Sequence, residues 1–344
     1  MQLTLRIGSW GAMALLAAAG PLAAQEGPAP GITHLDTVVI SAADAGPHVW
    51  EYRRGERTLL VLGTIAPVPT DLDFIPATLQ KSVDASTAVI GSPGVVVGEG
   101  IGLLRGLSLW SSIRQRKYLP EGRTLSDTLA PEDYRRWSAL KARYLPRNRD
   151  VERMLPMYAA WQLYDAVLEQ SGIARRKVSA ADKVIELARA KRVGVTEAKF
   201  HLVIDNPRRA IAQFRVDPQA DLACLRDTMQ GIESLPGLSR QLAQDWSAGN
   251  VEAMQALLQT HTLPTPCWSA LTNQAIARQQ GVDLEQAVRE SWVAAVQGAS
   301  AAHAVVFLTA PVTDLLNGTG RAQWLQQLGY VPVVQTQPPG SAVH

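Results

Sequence analysis

Any chemistry in this chain must start from its histidines, cysteines and acids, and they are few and scattered. The six histidines are His34, His48, His201, His261, His303 and His344. No two are close enough in sequence to share a helix face, and the HExxH arrangement of a zinc peptidase helix is absent. His303 is the most suggestive, because it directly precedes an apolar run that reads as a strand. Its plainer role is to cap or to face solvent. His34 and His344 fall in the tails, His48 starts a strand, and His261 sits in a loop rich in threonine and proline. Among the acids, Glu197 ends the strand-like run 192–196 and is a candidate general base or contact for a polar ligand. An ion pair with Lys191, Arg192 or Lys199 is the structural alternative. Asp182 stands three residues after Ser179, the spacing of a capping box, so it reads as a helix-start residue.

The two cysteines, Cys224 and Cys267, are most simply a disulfide if the compartment is oxidising. That bond would close a loop of 43 positions, worth about 4 kcal/mol in the chain-entropy account. With no CxxC and no nearby His cluster around Cys224, a metal or redox role has little to rest on. Serine chemistry fares no better. There is no GxSxG elbow, and Gly91-Ser92-Pro93-Gly94 puts a proline where an oxyanion hole would need a backbone N–H. The glycines at 94, 98, 100, 102 and 106 lack both a Walker lysine and GxGxxG spacing, so the stretch reads as a flexible loop. Its apolar residues, 95–97 and 101–109, would line a pocket or simply pack.

The elements that must position these residues follow from periodicity. Residues 48–53 and 58–63 read as two strands around the turn Arg54-Gly55-Glu56-Arg57. A proline-rich loop at 66–70 leads to a helix at 74–82 and a short strand at 86–90, and helical spacing then recurs over 131–145 and 151–170. Ser179 opens a helix to about Lys191, and 192–196 is a strand. Amphipathic helices follow at 222–234, 238–247, 251–259, 268–280 and 284–297. The run 304–309 has the continuous apolar character of a buried strand. A helix at 320–328, with Gly329 at its C-terminal stop, leads to a last strand at 330–335. The expected fold is α/β (α+β), with strands near both ends of the chain and a large helical middle.

Several pieces occur in a particular order: His48-Val49-Trp50-Glu51-Tyr52; Leu60-Val61-Leu62-Gly63-Thr64-Ile65 with its proline loop; Asp182 with its helix and Val195-Thr196-Glu197. A cysteine pair flanking Trp246-Ser247-Ala248-Gly249-Asn250 and the closing run 304–333 complete the series. In that order they resemble the TraB/GumN family, related to the Tiki proteases. The resemblance implies a Tiki/TraB-like scaffold and a metal-dependent hydrolase, with histidines from two GxxH segments and a glutamate after the first helix's strand as metal or catalytic groups. This chain departs at each of those positions. The first segment reads Gly63-Thr64-Ile65-Ala66, the strand end reads Val89-Ile90-Gly91-Ser92, and the second segment reads Leu308-Thr309-Ala310-Pro311. An Arg-Asn pair common after the second cysteine stands as Thr272-Asn273. A catalytic zinc needs about three ligands with lone pairs, and Ala66, Gly91 and Pro311 offer none from their side chains. No cofactor is therefore expected.

The N-terminus has the layout of a secretory signal: Arg6, an apolar stretch over 7–19, small residues to Ala24, then polar Gln25. Glycines and a proline break the stretch short of the roughly 20 residues a spanning helix needs. The expected organisation is a signal peptide over 1–24 cleaved after Ala24, a leader over 25–45, one domain over 46–336 and a disordered tail over 337–344. No transmembrane segment would remain, and the product would be periplasmic or secreted. With 33 basic and 31 acidic residues and a net charge of +2, nothing points to nucleic acid or an anionic membrane. The leading reading is a pseudoenzyme whose residual cleft holds a peptide, polypeptide or small ligand. The alternatives are an active hydrolase built on Glu197 and His303, and a structural component of the cell envelope.

Overall fold

A computed structural model describes residues 46–72, 77–97, 116–174, 179–261, 263 and 267–333. The segments expected as signal peptide (1–24), leader (25–45) and C-terminal tail (337–344), and the glycines from 98 to 106, lie outside the described residues. The chain opens with a hairpin of β1 (Val49–Arg54) and β2 (Arg57–Thr64), in register from Val49 opposite Leu62 to Arg54 opposite Arg57. Gly55 takes φ +55° in the two-residue turn, a left-handed conformation that favours a residue without a Cβ.

Next come β3 (Val68–Pro69), β4 (Ala88–Ile90), β5 (Gly94–Val97), β6 (Ile173–Ala174), β7 (Gly194–Thr196), β8 (Lys199–Leu202), β9 (Val305–Pro311) and β10 (Val331–Pro332). The main sheet has the order β10-β1-β2-β9-β4-β7. Its β2, β9, β4 and β7 run parallel, while β1 and β10 form an antiparallel margin. The fold is mixed α/β, with strands at both ends of the chain and helices between.

Alternation along the strands decides which helices cover which face. Leu62, Val89 and Phe307 point to one face, where they pack with Val184, Leu242 and Trp246 from the helices Ala180–Ala190 and Leu235–Ser247. Leu59, Val61, Ala88, Ile90, Val306 and Leu308 point to the other, against Trp292 and Val296 of Leu284–Ala302 and Leu325 of Gly320–Gln327. β9 is buried at all five interior positions because both faces are covered. A third core contains no strand of the main sheet. It gathers Trp137, Leu140, Met157, Leu163, Leu225 and Met229 from the helices Pro131–Tyr144, Pro156–Gln170 and Pro218–Gly231.

Several expectations need correction. The helix expected over 151–170 is divided: a short 3-10 turn spans Asp150–Arg153, and the α-helix starts at Pro156. Proline suits the first helical position, and it holds Leu155 in an extended conformation (φ −55°, ψ 146°). The stretch beginning at Gly94 is not loop throughout, since β5 pairs in parallel with β8, from Gly94 opposite Lys199 to Val97 opposite Leu202. The helix expected over 284–297 runs on to Ala302, and residues 312–317, assigned no element in the sequence, form the helix Val312–Asn317, stopped by Gly318 at φ 63°.

Candidate functional site

Four parallel strands end along one edge of the sheet, the region where open α/β sheets bind ligands. β2 ends at Gly63-Thr64, β9 at Ala310-Pro311, β4 at Ile90 and β7 at Thr196. The register sets Thr64 beside Pro311 and Ile90 beside both Leu308 and Thr196. The N–H of Gly91 donates to the Thr196 carbonyl at 2.9 Å, carrying the pairing one residue further. Gly63, Pro311, Gly91 and Glu197, together with Ala66 in the loop after β2, therefore belong to one edge, although they are far apart in sequence.

The side chains at this edge are hydroxyls. Ser92 Oγ and Thr309 Oγ1 share a hydrogen bond at 2.8 Å, joining the loop after β4 to β9, and Thr64 Oγ1 donates to the Ala310 carbonyl at 3.1 Å. Buried Trp246 Nε1 donates to the Gly63 carbonyl at 2.7 Å, fixing the end of β2 to the helical layer. Gly63 itself is required by packing: a Cβ there would lie 2.7 Å from the Trp50 ring and 3.1 Å from Val312 Cγ2. At Gly91 the nearest atoms to such a Cβ are Ile185 Cδ1 at 3.6 Å and the Thr196 carbonyl at 3.7 Å, ordinary contacts. Ala66 is exposed and precedes the cis Ala66–Pro67 bond, while Pro311 is half-buried and begins the helix Val312–Asn317.

Glu197 is exposed beyond β7 and makes no hydrogen bond or ion pair among the described residues. The ion pair weighed for it does not form, because Lys191 meets Asp84 instead. Asp182 is the helix-start residue expected, its carboxylate accepting from the Ser179 N–H at 3.1 Å and completing the capping box.

His303 lies at the opposite end of the sheet. It caps Leu284–Ala302, its N–H donating to the Ala299 carbonyl at 2.9 Å, and it precedes the amino end of β9. The eight residues from there to Pro311 span on the order of 25 Å of extended chain, so Glu197 and His303 do not share a site. His48 stacks edge-on against Trp50, with ring centroids 4.6 Å apart, and partial burial pushes its imidazole below the usual histidine value. Among the described residues, no group of three or more His, Cys, Asp and Glu side chains is placed to hold a metal ion.

The order of these pieces along the chain, now joined at one sheet edge, agrees with a family match: the TraB/PrgY/gumN family profile covers residues 48–307. This chain belongs to the TraB/PrgY/gumN family. Comparison with curated proteins and with solved structures gave no match. At the three positions that the family resemblance assigns to metal or catalytic groups, the residues do not fit a metal, because Ala66 and Gly91 supply no side-chain donor and the Pro311 ring nitrogen is an amide. Among the described residues, this member's edge offers a ligand hydroxyl groups, backbone carbonyls and the Glu197 carboxylate.

Two features were missed in the sequence. The Ser92–Thr309 pair depends on β4 and β9 being neighbours, which no local spacing signals. Asp221 is 4 % exposed, and its Oδ1 accepts from the Met157 N–H at 2.5 Å, capping the helix Pro156–Gln170 from outside. Burial pushes that carboxyl up to about 6. The cysteines of this member stand at disulfide distance, their Cα atoms 5.7 Å apart, linking Pro218–Gly231 to Cys267–Gln279. Thr272, where an Arg-Asn pair is common, lies on the second of these helices and hydrogen-bonds to Tyr158.

Proposed function

We propose that this TraB/PrgY/gumN protein is an exported pseudoenzyme, a single domain over 46–336 behind a signal peptide cleaved after Ala24 and a leader over 25–45, whose sheet edge binds a peptide, polypeptide or small ligand without metal-dependent hydrolysis. One observation carries the reading: Ala66, Gly91 and Pro311, the positions that resemblance assigns to metal or catalytic groups, gather at one edge where no described side chain replaces them. A catalytic metal would have to lower the pKa of a bound water, and that requires about three donors the edge does not supply. Glu197 is the one carboxylate there among the described residues and serves as a polar anchor for a ligand. The Ser92–Thr309 pair supplies further donors and acceptors. Export is supported by the N-terminal pattern and by the cysteine pair, which suits an oxidising compartment. No helix of the described residues is long and apolar enough to cross a membrane.

An active hydrolase built on Glu197 and His303 is disfavoured because Glu197 follows the carboxyl end of β7 while His303 precedes the amino end of the parallel strand β9. The test is elemental analysis of the purified mature protein after dialysis against a mild chelator and re-exposure to zinc, manganese and cobalt. The expected result is metal well below one equivalent per chain, in a product whose intact mass begins at Gln25. Near-stoichiometric retained metal would overturn the pseudoenzyme reading.

A further inference from the structure

A second recess, sharing no residue with the sheet edge, lies in the helical part of the fold. It is a cleft of about 960 Å³ between residues 116–128, the start of Pro156–Gln170, the helix Pro207–Gln213 and residues 214–222. Its walls have two characters. Leu119, Leu155, Ile211, Phe214, Val216 and Leu222 supply apolar surface, while Arg116, Arg123, Arg208 and Arg215 bring four guanidinium groups to the same cleft.

The arginines are short of counter-charge. Arg215 Nη1 is held by the carbonyls of Phe214 at 2.7 Å and Ala212 at 3.2 Å, which leaves its charge unneutralised. Arg116, Arg123 and Arg208 make no hydrogen bond or ion pair among the described residues. Arg123 alone of the four has a carboxylate acting on it from a distance, Asp127, which accepts from Thr124 and forms no ion pair with it. Among the described residues one carboxyl lines the cleft, Asp221, which is buried, accepts from the Met157 N–H and makes no ion pair with the four arginines. Beside the cleft, Lys117 and Arg153 stand over the Tyr118 ring, at 4.9 and 6.0 Å from its centroid, and add to the positive field.

Guanidinium groups repel one another unless an anion joins them, and a concave wall of one charge sign raises the local concentration of the opposite sign. Arginine's planar fork also matches the oxygens of phosphate and carboxylate. Those oxygens would satisfy only one half of the cleft, because the apolar wall favours an apolar body on the same ligand. The volume falls within the roughly 300–1,000 Å³ of small-molecule sites.

We propose that this cleft is a binding site for a small amphipathic anion, with a phosphate or carboxylate head on the arginines and an alkyl or aryl body on the apolar wall. The proposal is independent of the reading of the sheet edge. It is tested by calorimetric titration of the purified protein with octyl phosphate, octanoate, octyl glucoside and inorganic phosphate, each below its micellar concentration. Octyl phosphate or octanoate should bind one per chain, and the tighter of the two identifies the head group. Inorganic phosphate should bind at least about tenfold more weakly, since it gains nothing from the apolar wall. The double variant Arg123→Gln/Arg208→Gln replaces two exposed side chains, so its urea midpoint should be unchanged while its affinity for the anionic ligand falls at least about tenfold. The idea is overturned if neither octyl anion binds, if octyl glucoside binds as tightly as they do, if inorganic phosphate matches octyl phosphate, or if the double variant binds like the parent.

Discussion

Asp221 shows how one residue can serve the fold and strain it together. Its carboxylate satisfies a backbone donor at the first turn of Pro156–Gln170, where the N-cap Leu155 has no side-chain acceptor to offer. The same burial raises its pKa from 3.8 to about 6. A carboxyl with a raised folded pKa favours the fold when protonated. That contribution is complete below about 3.8 and is lost as pH rises through about 6, a swing of up to about 3 kcal/mol for a shift of this size. Asp221→Asn keeps an acceptor for the Met157 N–H and removes the titration. Urea unfolding of parent and variant at pH 4 and pH 7.5 should therefore show the difference moving in the variant's favour by up to about 3 kcal/mol at the higher pH. Parallel curves at both pH values would refute the assignment. The residue is invisible to sequence reading, because its partner is 64 positions away on another helix.

At the scale of elements, the helix Ala180–Ala190 is the opposite case, since its start is written locally. Ser179 Oγ accepts from the Asp182 N–H at 3.2 Å, and Asp182 returns the bond to the Ser179 N–H. Ser179→Ala should cost about 1 kcal/mol, read as a lower urea midpoint, because one orphan N–H loses its partner. An unchanged midpoint would mean that water replaces the cap at no cost. The hairpin, this helix and the apolar run of β9 were legible for the same reason: a turn, a cap or a buried strand leaves its mark within a few residues. The short parallel pair β5 and β8 was not. Its partners are separated by the whole middle of the chain, and the glycines around β5 argue locally for loop. Pro156 could have been read as a helix start, but the apolar spacing of 151–170 ran straight across it.

Across the whole molecule, the Cys224–Cys267 link joins two helices of the core that holds no strand of the main sheet, and it closes a loop of 43 positions. The chain-entropy account gives about 4 kcal/mol for a loop of that length. The double variant Cys224→Ala/Cys267→Ala should lose stability of that order in urea, and a reducing agent should lower the parent's midpoint without affecting the variant's. Equal midpoints for parent and variant under oxidising conditions would show that the link carries no stability. The cysteine pair was evident from composition, because an even number of two leaves one pairing. Which helices it joins was not.

The sequence by itself determined the family, the α/β class, the ends of most helices and the absence of donor side chains at Ala66, Gly91 and Pro311, since these depend on residue type and on order within short windows. Only the tertiary structure decided that those three positions meet Glu197 at one sheet edge while His303 stands at the other. Strand order and direction set which ends coincide, and neither is encoded in local spacing. The same holds for the arginine cleft: Arg116 and Arg123 come from one segment and Arg208 and Arg215 from another. Each guanidinium looks like an ordinary surface charge until folding brings the four together, with no ion pair to any of them among the described residues.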